Sequence, residues 1–135
     1  MKIILAFFLL SFGAYTVNAQ NCVVHNSTNA DVDIDIVGVD GTCGGIGFSF
    51  TSQAGQIEYP SVAAGIEYLV GASVVSNSCQ TSAAVTDYSE TSCSGSTVLS
   101  ASFTSSAGCG YAVDTTLKIE IVVSGQDIDI YILKP

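Results

Sequence analysis

The clearest alternation of apolar and polar positions lies near the C-terminus, from Leu117 to Leu133 (LKIEIVVSGQDIDIYIL). Ile119, Ile121 and Val123 alternate with Lys118, Glu120 and Val122. Ile128, Ile130 and Ile132 alternate with Asp127, Asp129 and Tyr131. Successive strand side chains point to opposite faces, so each arm presents one apolar face. Ser124-Gly125 between the arms permits a tight reversal. The pattern predicts a β-hairpin with its isoleucines against a core. An odd loop would set Ile121 against Asp129 and mix the faces, which burial forbids. Two registers remain. A two-residue loop pairs Ile121 with Ile128 and Glu120 with Asp129. A four-residue loop pairs Ile121 with Ile130, Ile119 with Ile132 and Glu120 with Tyr131. Only the first puts two carboxylates side by side, which is mildly unfavourable.

Shorter segments repeat the theme. Cys22 to His25 reads as a first strand, ended by the turn cluster Asn26-Ser27-Thr28-Asn29. From Ala30 to Asp40, Asp31, Asp33 and Asp35 share one face and Val32, Ile34 and Ile36 the other. The phase slips at Gly38, which predicts a bulge or burial of both faces there. Ile46 to Thr51 turns Phe48 and Phe50 inward. Gln56 to Val62 contains Pro60, which has no N–H to give a neighbour, so it reads as an edge strand or a strand end. Ile66 to Val75 is apolar on both faces and suits a central strand. Ser76 to Ser96 is polar, with Ala83-Ala84-Val85 a short strand inside it. Thr97 to Thr104 is a further strand, and Tyr111 to Val113 either begins a strand or leads into the hairpin. No segment sustains helical periodicity. Short strands with frequent turns predict an all-β fold, an antiparallel β-sandwich of Greek-key, immunoglobulin-like architecture, with a jelly roll or small barrel as the alternative.

The first residues belong to a different object. Lys2, the apolar run Ile3 to Leu10 and Val17-Asn18-Ala19 have the layout of a signal peptide cleaved after Ala19. The expected organisation is a leader over 1–19 and one domain over 20–135, with no further membrane segment. The chain has 3 basic and 12 acidic residues. That balance opposes nucleic acid and anionic lipid as partners and is compatible with cations or basic partners. Charged residues are only 11% of the chain, so Ser, Thr, Gly and Asn must cover most of the exterior.

An exported chain meets oxidising conditions, so the five cysteines are expected to form disulfides, with one left over. Cys79–Cys93, flanking a polar segment, is the favoured pair; Cys22–Cys43 is a weaker second. Wide cysteine spacing and a lone His25 argue against zinc. Asn26-Ser27-Thr28 matches the N-glycosylation sequon, which would mark an exposed loop.

Catalytic signals are weak. Serine chemistry needs a base in reach, and His25 reads instead as an exposed or capped polar residue beside a turn. Asp31-x-Asp33-x-Asp35 lacks the glycine of an EF-hand loop. Same-face strand carboxylates lie about 6.5–7 Å apart, so calcium would need help from another element, with Asp127 and Asp129 the candidates. No cofactor other than calcium is indicated. Tyr131 and Tyr88 are candidate contact residues for sugar. The expected role is a secreted, extracellular or periplasmic, non-enzymatic module that binds a protein or glycan or serves a structural purpose. The alternatives are a calcium- or carbohydrate-binding lectin-like domain and, third, a small secreted hydrolase.

Overall fold

The computed structural model describes residues 20–88, 93, 95 and 97–135. The expected leader and part of the polar segment, 89–92, 94 and 96, lie outside the described residues. Among the described residues there are nine strands: β1 (Cys22–Asn26), β2 (Val32–Val39), β3 (Gly45–Ser52), β4 (Ile57–Glu58), β5 (Tyr68–Val74), β6 (Ala83–Thr86), β7 (Ser100–Ser105), β8 (Thr115–Ser124) and β9 (Asp127–Leu133). They form a five-stranded sheet ordered β4-β1-β9-β8-β7 and a four-stranded sheet ordered β3-β2-β5-β6. The two sheets pack face to face, as a β-sandwich must to bury one face of each.

The expected all-β sandwich architecture holds. In the five-stranded sheet β7, β8 and β9 form a meander, and β1 and then β4 are added beside β9 by crossovers. The sheets are not wholly antiparallel: β1 runs parallel to β9, from Cys22 opposite Ile128 to Asn26 opposite Ile132. Every other strand pair is antiparallel.

The C-terminal hairpin supplies the middle of the core. Leu117, Ile119, Ile121, Ile128, Ile130 and Ile132 are all buried, facing Ile34, Ile36, Leu69, Ala72 and Val74 of the other sheet. Burial of a large aliphatic side chain is worth about 1.5–3 kcal/mol, so this ribbon contributes substantially to sheet-on-sheet adhesion. Its register pairs Ile121 with Ile130 and Glu120 with Tyr131. That is the second of the two allowed registers, the one that keeps the carboxylates of Glu120 and Asp129 apart. The strands run on to Ser124 opposite Asp127, so this register is closed by the two-residue turn Gly125-Gln126, not by the expected four-residue loop and not through Ser124-Gly125. Gly125 has φ +61°, a left-handed value at the first central position, as a type II′ hairpin turn requires.

The register between β2 and β5 shifts at Val37/Gly38. A side chain on Gly38 would collide with Ile66 and with the backbone oxygen of Tyr68, so the bulge and the tight packing there have one cause. β5 is central, between β2 and β6. β4 is an edge strand cut to two residues ahead of Pro60. Tyr111 to Val113 leads into β8 without strand pairing.

The two sides of the sandwich are built differently. Beside β6 and β7, Gln80 bridges Ser105 and Thr86 bridges Val98. Thr81 N donates to Thr104 O at 3.0 Å, and Ser106 N to Cys79 O at 2.7 Å. Beside β3 and β4 no such bridge occurs among the described residues, and the turn from Gln53 to Gln56 carries the chain from one sheet to the other.

Candidate functional site

The densest grouping of aromatic and charged side chains lies on the outer face of the five-stranded sheet. His25 sits opposite Ile57 of β4 and opposite Tyr131 of β9, and Tyr131 sits opposite Glu120 of β8. Paired residues share a face, so these four form one row across four strands. The rings of His25 and Tyr131 are stacked, with centroids 4.5 Å apart and planes 10° apart. His25 Nε2 is 3.3 Å from Asp129 Oδ1. Lys118 Nζ is 2.7 Å from Glu120 Oε2, two residues along the same strand face. Val23, Asp129 and Val122 make the next row. Ile57 and Val122 are 59% and 53% exposed.

Half-exposed ion pairs contribute little to stability, about 0–1 kcal/mol, so this row is not needed to hold the sheet together. It offers donors, acceptors, a stacked ring pair and an apolar rim on one surface. Tyr131 was legible from its polar-face position. His25 was not: it is no turn-side cap but a half-buried member of the stack, brought there by the parallel β1–β9 pairing.

The other acidic residues are held elsewhere. Asp33 and Asp35 stand on the outer face of the four-stranded sheet. Their Oδ1 atoms accept from Thr51 Oγ1 and Ser49 Oγ, each at 2.7 Å, and Asp33 Oδ2 accepts from Asn77 Nδ2 at 3.1 Å. Asp31 accepts from the Ala54 amide at 2.8 Å. Asp127 and Asp129 belong to the five-stranded sheet, where Asp127 accepts from the Asn21 amide. The outer faces of a sandwich point in opposite directions, so Asp127 and Asp129 do not complete a calcium site with Asp33 and Asp35. Among the described residues no group of three or more His, Cys, Asp or Glu side chains is placed to hold a metal ion.

Neither expected disulfide forms. Cys79 pairs with Cys109, not Cys93, and Cys43 pairs with Cys93, not Cys22. The Ser106–Cys79 backbone bond brings the first pair together, with Cα atoms 5.6 Å apart. Cys22 shares the inward phase of Val24 and is buried in the core cluster, so it cannot reach Cys43, which is exposed in the loop after β2. Burial, with a smaller contribution from the Asp129 charge, pushes the Cys22 thiol up to about 12. Cys43 is positioned by Asp40, whose carboxylate accepts from Thr42 Oγ1 and from the amides of Gly44 and Thr42. Those bonds hold the Asp40 carboxyl below its ordinary pKa.

No family model, curated protein or solved structure matches this chain. The geometry alone therefore speaks for the site.

The sequon is occupied by structure. Asn26 is 2% exposed. Its Nδ2 donates to Ala30 O at 2.9 Å and Ser52 O at 3.2 Å, and its Oδ1 accepts from Thr28 N and Oγ1 at 3.0 and 2.7 Å. A glycan on that nitrogen would need both the proton and the space already in use, so the expected exposed loop is instead a buried joint between the sheets. Tyr88, the other aromatic candidate, lies with its ring against Gly95 rather than on a shared surface with Tyr131. A separate depression of about 320 Å³, lined by Asn29, Asp31, Gln80, Gly110 and the Cys79–Cys109 bridge, contains a single carboxylate.

Proposed function

We propose that this protein is an exported, non-enzymatic recognition module that meets a protein partner through the outer face of its five-stranded sheet. The observation that carries the reading is the His25–Tyr131 stack, flanked by Asp129 and the Lys118–Glu120 pair and rimmed by exposed Ile57 and Val122. An aromatic centre with a polar and apolar surround is the usual make-up of an interface core. A protein partner is favoured over a sugar because one face of the Tyr131 ring already lies against His25. Export is supported by the leader-like residues 1–19 and by two disulfides. No helix among the described residues is long and apolar enough to cross a membrane.

The non-enzymatic reading draws on the partners of the reactive groups. His25 meets Asp129 and Tyr131, and the buried Cys22 thiol faces the opposite side of β1. No base and nucleophile converge there.

The test is capture of partners from the host's extracellular fluid, followed by titration of the purified pair. Tyr131→Ala and Val122→Asp are each expected to weaken binding by about tenfold or more. Wild-type affinity in both variants would overturn the reading. So would an oligosaccharide that shifts the Tyr131 resonances while no protein partner responds to either variant.

A further inference from the structure

The sandwich has four strand edges, and three of them are blunted. β4 is two residues long, with Pro60 close behind. β6 is bridged through Thr86 to Val98, and β7 through Ser105 to Gln80. β3 is different. It runs for eight residues, GIGFSFTS, in unbroken register with β2 and without a proline or a charged side chain. Proteins usually protect edges with short strands, charges, prolines or bulges; β3 has none of these.

The backbone direction on β3 follows from its neighbours. Val75 N donates to Asp33 O, so Asp33 and Asp35 turn their peptide groups toward β5, while Ile34 and Ile36 turn theirs toward β3. Their partners Phe50 and Phe48 are thereby satisfied, and Gly47, Ser49 and Thr51 aim N–H and C=O away from the sheet. Among the described residues no backbone bond meets them there. Three amides and three carbonyls at two-residue spacing are a template for an added strand.

The side chains choose the occupant. On the inner side Ile46, Phe48 and Phe50 pack on the core but stay half-exposed. On the outer side Asp33 and Asp35 line a depression of about 290 Å³ with Ser49, Phe50, Thr51 and Val75. Asp35 Oδ1 takes the Ser49 hydroxyl, and no hydrogen bond among the described residues reaches its Oδ2. We infer that β3 accepts, by strand addition, an extended segment of another protein in which apolar residues alternate with lysine or arginine. The apolar side chains cover Phe48 and Phe50, and the basic ones reach across β3 to Asp33 and Asp35. A second copy of this chain is the poorer occupant, because its formal net charge is −9 and its own β3 brings no cation.

The probe is a synthetic ten-residue peptide alternating Lys with Val, compared with the same peptide carrying Glu for Lys. Amide exchange is read by NMR. Expected is protection of Gly47, Ser49 and Thr51 on adding the Lys peptide and none with the Glu peptide. Gly47→Pro removes an outward N–H and leaves the β2 ladder intact; it is expected to weaken binding about tenfold or more. Gly47→Lys, which adds a repelling charge where a side chain has room, does the same should the proline variant fail to fold. Asp35→Asn is expected to cost about threefold and to flatten the salt dependence. Equal binding of both peptides, protection confined to other strands, or concentration-dependent dimers that protect the same amides would each overturn the proposal. The outer-face variants Tyr131→Ala and Val122→Asp leave Lys-peptide binding unchanged, so the two surfaces fail or succeed separately.

Discussion

The two sides of the sandwich teach different lessons about how a small β domain is held. On the β6/β7 side, two backbone bridges and the Cys79–Cys109 disulfide join the sheets. Covalent and hydrogen-bonded links there tether both edge strands, β6 and β7. On the β3/β4 side the sheets are tied by a turn and by one buried side chain, Asn26, which reaches from β1 to Ser52 at the end of β3. The first side is closed whatever the surroundings. The second has Asn26 as its buried tie, beside the exposed bond from the Gln53 amide to Glu58, and it is where the unprotected edge lies. Stability and accessibility have thus been assigned to opposite sides of one core.

That contrast can be broken experimentally. Replacing Cys79 and Cys109 together by serine should cost about 4 kcal/mol, the chain-entropy value for closing a loop of that length, read by denaturant melts. Asn26→Ala should cost about 3 kcal/mol, because it strands the buried Thr28 donors and two carbonyls. Exchange should then quicken at β1 and β3 before β7 and β8. If Asn26→Ala instead leaves β3 exchange untouched, the open side has another tie. The same burial predicts that the purified protein carries no glycan at Asn26, checked by intact mass.

Smaller effects sharpen the picture. The unfolded chain gives up the Cys22 proton near its ordinary value of 9.0, the folded protein only near about 12. Between those values the unfolded state is favoured as pH rises, so stability falls through this window, by about 1 kcal/mol at pH 10. Cys22→Val should remove that slope. Native Cys22 should also resist thiol reagents that label it rapidly in denaturant. The least effect is expected of Ser52→Ala. The Ser52 hydroxyl is buried and has no hydrogen-bond partner among the described residues, so its removal should raise stability by about 0.5 kcal/mol.

Much of the fold was legible because strand faces are written in a period of two. The isoleucines of the last hairpin, the bulge at Gly38, the edge strand ahead of Pro60 and the central strand around Val70 all followed from phase, Gly or Pro. What phase does not encode is which strands are neighbours. Nothing in Cys22 to Asn26 says that it lies parallel to Asp127 to Leu133, so the meeting of His25 with Tyr131 and Asp129 could not be read. Disulfide pairing failed for the same reason. Loop-closure entropy favours near cysteines by less than about 1 kcal/mol over the spacings involved, and topology overrides so small a preference. The inward phase of Cys22 was a usable signal: it matches Val24 and marks the thiol for the core. Asn26 hid its role because a sequon in a turn cluster reads as surface until a second sheet is placed over it.

The parallel pairing has a consequence in time. Asn21 and Asp127, which share a hydrogen bond, are 106 residues apart, and β1 has only the two-residue β4 as its other neighbour. Strand β1 therefore has no adequate partner until β9, about a hundred residues later, has been synthesised. Until then the five-stranded sheet cannot close around β1.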